Sequence, residues 1–333
     1  MKSIRKILPL VGVLLGATVA ATPTHAQEKI RIAGNFATEH SSSVAMELFK
    51  SEVARLTNNQ LTVDIFPAMQ LGGAKENVDG VRAGTIFMTW VGAAFLTRLV
   101  PELEAVSLPF LFDSREAAFK VIDGPVGDLL DEKLGAKGFV SLGWMELGSR
   151  NVTNSKRPIK TLADLKGLKI RLQPNETHLA TFRALGANAL AMDVKELYSA
   201  LQQGVVDGEE NPYAIIAANR YFEVQKYVSD TGHFFDFISI IANKRQFDAM
   251  KPETQKAVRA AMAAAVTQQR KAAAEADKAA LEMLKSKGMQ FDAISPAARA
   301  EMREAAKSVI EAVRKRAGEE LTDRVLAEAR KSS

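Results

Sequence analysis

Between Pro252 and Gly288 the chain runs for 35 residues without a glycine or a proline. The stretch is dominated by Ala, Lys, Glu and Gln, all favourable helix formers. Pro252 suits the first turn of a helix and Gly288 the position just past its end. Read as one element, Pro252 to Lys287 is a helix of about 50 Å at 1.5 Å per residue, which exceeds the width of a single α/β lobe. Two shorter helices with an unmarked break are the alternative, because helices average about a dozen residues.

Upstream of this segment, short β-like runs alternate with helical ones, the pattern of an α/β protein. Ile30–Ala33 reads as a strand and Ser41–Leu56 as an amphipathic helix. Leu61–Phe66 alternates with period two until Pro67 closes it. Asn77–Ala83 reads as helix and Ile86–Val91 as a buried strand. A second set begins near residue 139, with strands at Phe139–Leu142 and around Arg150–Thr153. A short helix at Thr161–Leu165 and a strand at Lys169–Leu172 follow. Helices then run from Pro174-Asn175-Glu176 to Leu185 and from Val194 to Gln203. Val205–Asp207 and Ser239–Asn243 are further strands, and Pro296–Ala329 holds one or two helices. No flexible linker separates the two sets, so they are expected to exchange strands and share a cleft. Binding sites in open α/β sheets lie beyond the carboxyl ends of strands, and small-molecule pockets favour domain interfaces.

The N-terminus carries Lys2, Arg5 and Lys6 ahead of an apolar run from Ile7 to Ala21. That run is shorter than the roughly 20 residues that span a bilayer. With Thr24-His25-Ala26 after it, the segment has the form of a cleaved secretory signal. Cleavage is expected after Ala26, with Ala21 as the alternative, which makes the product a soluble periplasmic protein. Removing residues 1–26 from 333 leaves 307, and loses three positive charges and no negative ones, so the net charge falls from +5 to +2. Such a surface lacks the basic field that nucleic-acid binding requires. The chain has no cysteine, which removes thiol catalysis and thiolate metal sites. A chain this long has no need of disulfides to stabilise its cores.

Catalytic machinery is not visible. His40, His178 and His233 have no metal-ligand spacing, and there is no nucleophile elbow, P-loop or dinucleotide fingerprint. Neither enzyme activity, metal nor cofactor is expected.

Three residues stand at strand ends or crossovers. Arg150 follows Gly148-Ser149, Arg171 ends a short strand, and Asn211 lies in Asp207-Gly208-Glu209-Glu210-Asn211-Pro212. A guanidinium matches a carboxylate bidentately, and an amide offers both a donor and an acceptor. Residue type alone does not decide, since an arginine at a strand end is commonly a surface ion pair and Asn-Pro is an ordinary turn signal.

Larger pieces of sequence add to this. Gly167-Leu168-Lys169-Ile170-Arg171-Leu172-Gln173 and Ala200-Leu201-Gln202-Gln203-Gly204-Val205-Val206-Asp207-Gly208-Glu209-Glu210-Asn211-Pro212 resemble the substrate-binding proteins of TRAP transporters, the DctP family. Phe66-Pro67 leading to Gln70-Leu71-Gly72, Leu108-Pro109-Phe110 and Gly148-Ser149-Arg150 match in the same order, across residues 30 to about 320. The resemblance implies a type II periplasmic binding protein fold of two α/β lobes, with crossing strands and a long helix spanning both. Lobe I is expected over 27–148 with 237–276 returning to it, and lobe II over 149–236 with 277–333 returning. Arg171 is then the principal partner of a ligand carboxylate, assisted by Arg150 and Asn211. Asn35, Glu39, His40 and Trp90 hold pocket-facing stations in the first lobe, and Gln173 and Val194 in the second. An acidic residue found in some sialic-acid binders is missing at Gly92, so that ligand is not expected.

The resemblance also implies capture by lobe closure, and delivery to the small and large membrane subunits of a TRAP permease by a monomeric receptor. A sugar acid such as a uronate is favoured, with a C4-dicarboxylate or a 2-oxo acid as alternatives. An ABC-type organic-acid or amino-acid receptor and a ligand-sensing subunit are the rival readings.

Overall fold

The computed structural model describes residues 28–331; the expected signal segment and its cleavage point lie outside them. The first set of elements is β1 (Glu28–Gly34), α1 (Ser41–Leu56), β2 (Leu61–Phe66), α2 (Ala74–Ala83) and β3 (Met88–Gly92). Two 3-10 turns follow, then α3 (Arg115–Ile122) and α4 (Pro125–Ala136). The second set comprises β4 (Phe139–Asn154), β5 (Lys169–Leu172), α5 (Glu176–Ala184), β6 (Asn188–Ala191), α6 (Val194–Gln202), β7 (Gly208–Asn211) and α7 (Tyr213–Ala218). After β8 (Tyr227–Asn243) and α8 (Lys244–Asp248) come α9 (Pro252–Ser286), β9 (Gln290–Ala293), α10 (Pro296–Ala305), α11 (Lys307–Ala317) and α12 (Glu319–Lys331).

One mixed sheet in the order β2-β1-β3-β8-β4-β7-β5-β6 joins these elements, and β9 also pairs with β8. Its two central strands carry the architecture. β8 pairs with β3 through Ile238–Ala242 and with β9 through Tyr227–Asp230, while β4 pairs with β7 through Asn151–Asn154. Each long strand therefore serves a first lobe at one end and a second lobe at the other. The register between β4 and β8 slips at Ser141/Gly143, Glu146/Gly148 and Arg150/Val152. Such bulges bend a strand and raise its twist.

The bulges also correct the sequence reading. Phe139–Leu142 and Arg150–Thr153 are not separate strands but the two ends of β4, and Ser239–Asn243 is the end of a 17-residue β8. Alternation is lost between the ends because each bulge flips the faces. The strand expected at Val205–Asp207 is instead β7, at Gly208–Asn211. Gly204 takes φ +68° and Val205 is exposed, so Val205–Asp207 is a turn. There the Asp207 carboxylate accepts the Lys169 N–H at 2.9 Å. The tail beyond Pro296 forms three helices rather than one or two, broken at Ala306 and Gly318.

α9 is a single helix of 35 residues. Along its length it packs on α1, β4 and α7. Ala261, Met262 and Ala265 join a core with Phe49, Trp90 and Ile238, while Ala280 and Leu284 join a separate core with Leu197, Tyr213 and Tyr221. The rod thus bridges the two halves. The last helices behave differently from residues 277–286. Val313, Leu321 and Val325 pack with Leu103, Val121 and Leu130, in the core beneath α3 and α4. The final turns of the chain therefore lie against the first set of elements, whereas α10 contributes Ala298 and Met302 to a core with Ile170 and Phe182.

Candidate functional site

A narrow cavity lies where the two sets face each other. Asn35, Phe36, Gly92, Phe95 and Leu147 line it from one side. Arg171, Gln173, Val194, Asn211, Ile215 and Asn219 line it from the other. It is nearly shut, with about 20 Å³ of space open to water, room for one or two water molecules.

Arg171 reaches the cavity because β5 is only four residues long and its partner β6 turns away immediately after Ala191. The guanidinium is buried. Its Nε and Nη2 donate to the main-chain carbonyl of Met192 at 2.9 and 2.7 Å. Among the described residues no carboxylate forms an ion pair with it. Burial therefore lowers the pKa of Arg171 from its ordinary value. A desolvated cation held only by a neutral carbonyl is a strong attractor for an anion.

Arg150 is the opposite case. Its Nε lies 2.5 Å from Glu210 Oε2 and its Nη2 2.8 Å from Glu210 Oε1, while Asp236 Oδ2 is 3.4 Å from Nη1. All three side chains are buried. Burial works against both members of the main pair, but the mutual attraction outweighs it, so Glu210 is held well below the usual carboxylate range and Arg150 above its own. Arg150 does not line the cavity. It stands behind Asn211, donating from Nη2 to Asn211 Oδ1 at 3.1 Å.

This fixes the Asn211 amide. An arginine cannot accept a hydrogen bond, so the oxygen must face Arg150, and Nδ2 donates to Glu209 Oε2 at 2.5 Å. One N–H of Nδ2 remains for the cavity. Burial pushes Glu209 up to about 7, although the Asn211 amide and the Thr153 hydroxyl, 2.8 Å from Oε1, both oppose it. Gln173 is steered in the same way, with Nε2 donating to Asp236 Oδ2 at 2.9 Å. Its Oε1 then faces Gly92, where a side-chain carbon would come within 2.9 Å. Glycine permits that close approach across the cavity.

The remaining expected residues are placed as follows. Asn35 is buried on the first wall and Val194 opens α6 on the second. Trp90 is fully buried over Gly34 in the core beside β1, outside the cavity. His40 is the N-cap of α1, its Nδ1 accepting the Ser42 N–H at 3.2 Å, and its ring stacks on Phe36 at 4.9 Å. It touches the site only through that ring. Glu39 is exposed and is not among the lining residues.

Sequence reasoning missed Phe36, Phe95, Leu147, Ile215 and Asn219. The apolar ones look like any core residue. A signal did exist for two of them: Asn211, Ile215 and Asn219 recur every four residues directly after a strand, which puts them on one face once the chain turns helical.

The histidines are poor proton carriers. Burial holds His40 down at about 4 and His178 at about 3, and lowers His233 as well. The Thr231 hydroxyl, itself bonded by the Val152 N–H, lies 2.7 Å from His233 Nδ1, and Glu210 Oε2 lies 3.1 Å from Nε2. Both contacts suit a neutral ring with its proton on Nε2. Among the described residues no cluster of three or more His, Asp or Glu could hold a metal ion, and no helix is long and apolar enough to cross a membrane.

Residues 32–316 match the family model for DctP, bacterial extracellular solute-binding protein family 7. The chain belongs to this family. It is 34% identical over 277 residues to the 2,3-diketo-L-gulonate-binding periplasmic protein YiaO of Escherichia coli, covering 83% of this chain and 84% of that one. The solved structure of the sugar acid binding protein DctPAm from Advenella mimigardefordensis, in complex with galactonate, superposes with a TM-score of 0.90 at 33% identity, covering 92% of this chain and 99% of that one. A TRAP periplasmic solute binding protein from Sulfurospirillum deleyianum with bound succinate gives 0.87 at 30% identity, covering 91% and 99% respectively. The DctP-family protein described here is thus a TRAP-type solute receptor of the type II-like fold and not an enzyme. The ABC-type alternative gains no support.

Proposed function

We propose that this receptor captures a hydroxylated monocarboxylate, a sugar acid of the aldonate or uronate kind, between lobes 27–148 and 149–236. It would do so in the periplasm after removal of residues 1–26, and hand the acid to the membrane subunits of a TRAP permease. One observation carries the reading. Arg171 is a buried guanidinium on the cavity wall, and among the described residues no carboxylate is paired with it.

Charge counting favours a single carboxylate. Arg150, the second buried arginine, is already committed to Glu210 and Asp236. Among the described residues that line the cavity Arg171 is the one cation, so the second negative charge of a dicarboxylate would find no other to meet it. Asn35, Gln173, Asn211 and Asn219 supply amides suited to hydroxyl groups, and Phe36, Phe95, Leu147, Val194 and Ile215 supply apolar faces for the carbon chain. Similarity to a galactonate-bound and to a succinate-bound receptor leaves this choice to the side chains. Because the cavity admits so little, the lobes must part to take ligand and close over it, a hinge motion.

Isothermal titration of the purified protein with galactonate, galacturonate, erythronate and succinate tests the reading. Binding of at least one hydroxy acid at least tenfold tighter than succinate is expected. Tighter binding of succinate, or no binding of any of the four, contradicts it.

A further inference from the structure

Three of the residues on the second wall, Asn211, Ile215 and Asn219, belong to one short piece of chain, α7 with its flanking residues. α7 has six residues, too few to be stable alone, so its orientation depends on what anchors it. Its N-cap is Pro212, which offers no side-chain acceptor to the first N–H groups. The acceptor comes from elsewhere. Asp277, in the second half of α9, receives the Ala214 N–H on Oδ1 at 2.9 Å, and the Tyr213 N–H also bonds to it.

Two further contacts complete the seat. Tyr213 donates its hydroxyl to Asp230 Oδ1 on β8 at 3.2 Å. Gly148, at φ +116° in the β4 bulge, lies so close that an added side-chain carbon would meet Pro212 Cβ at 3.4 Å. Ile215, one turn into α7, packs in the core that holds Phe36, Leu147 and the Ala261 and Ala265 stretch of α9. The helix that spans both lobes therefore grips the start of the segment that presents three cavity residues.

We infer that Asp277 is a positioning residue for ligand binding: by capping α7 from α9, it sets where Asn211, Ile215 and Asn219 stand relative to Arg171. Losing an N-cap weakens a helix. Here the loss falls on a helix whose placement, rather than whose existence, matters to the ligand. The inference rests on the proposed reading of the cavity. Asp277 itself lies outside it.

The test uses D277A and D277N in the full chain. The probe is whichever of galactonate, galacturonate, erythronate and succinate binds the wild type most tightly. D277A is expected to bind it about five- to tenfold more weakly, chiefly through faster release, with a ligand-free melting temperature within a few degrees of wild type. D277N is isosteric and keeps an acceptor for the Ala214 N–H, so it is expected within twofold of wild type. Hydrogen exchange without ligand is expected to be faster across residues 213–219 in D277A and unchanged in D277N. An affinity for D277A within twofold of wild type, or for D277N fivefold or more below wild type, overturns the inference. The D277N arm holds even if D277A does not fold. Should no acid bind the wild type, the cavity reading fails, whereas unchanged exchange at 213–219 in D277A refutes the role of Asp277 by itself.

Discussion

Arg150 and Glu210 form a two-pronged ion pair in which neither side chain is exposed to water. A pair of this kind stabilises the fold little in net terms, because desolvation offsets much of the attraction, but breaking it leaves a buried charge alone. Arg150→Ala is therefore expected to destabilise the protein by about 3–5 kcal/mol, measured by urea denaturation. Loss of stability below about 1 kcal/mol would show that Glu210 finds another partner or protonates freely. The same substitution is expected to disturb ligand affinity only through Asn211, whose oxygen Arg150 holds.

Across the rim of the cavity, Lys195 Nζ at the start of α6 lies 2.6 Å from Glu76 Oε1 at the start of α2. Beside it the Lys75 N–H donates to Asp193 Oδ2 at 3.3 Å, and Asp193 Oδ1 also accepts the Lys195 N–H at 3.1 Å. One carboxylate thus serves the positive ends of two helices, one from each set of elements. Both ion-pair partners are largely exposed, so the effect is modest and salt-sensitive. K195E is expected to speed ligand release about two- to fivefold at low salt, and E76K/K195E to restore most of the wild-type rate, by stopped-flow fluorescence. A double variant no slower than K195E would exclude the pair as a latch.

Glu209 gives a pH signature. Its pKa is raised in the fold to about 7 from an ordinary 4.5, with burial the largest cause. The native state therefore binds more protons than the unfolded chain between those values. The stability that goes with the proton is fully present below about pH 4.5 and is lost as pH rises through 7. Relative to E209Q, which does not titrate, the wild type should lose roughly 3 kcal/mol between pH 4.5 and 8. Parallel stability curves for the two proteins would show that Glu209 is not protonated in this window.

How far these features could be read from the sequence depends on the range of the interactions behind them. α9 was legible end to end because Pro252 and the residues before Gly288 mark its limits locally. The position of Arg171 on the cavity wall was legible from its place at a strand end. The pairing of Arg150 behind the cavity wall was not, because its partners lie 60 and 86 residues away. β4 was legible only at its two ends, since the slips near Gly143 and Gly148 destroy the alternation that identifies a strand, and β8 only at its Ser239–Asn243 end. Trp90 shows the same limit. It lies two residues before the cavity residue Gly92 in the same strand, yet its indole packs in the core over Gly34, a contact between neighbouring strands that no local pattern announces. The packing of α11 and α12 beneath α3 and α4 likewise depends on contacts across nearly the whole chain.

The proposed function assigns stability to one arginine and binding to the other, and the decisive measurement is on Arg171. Calorimetric titration of Arg171→Ala and Arg171→Lys with the best-binding acid should show affinity weaker by about 3–5 kcal/mol for Ala. A clear loss is also expected for Lys, which cannot reproduce the fork. The ligand-free stability of Arg171→Ala should change by no more than about 1 kcal/mol, since only hydrogen bonds to one carbonyl are lost while a desolvated charge is removed. An Arg171→Ala protein that binds the acid within twofold of wild type would contradict capture by this guanidinium.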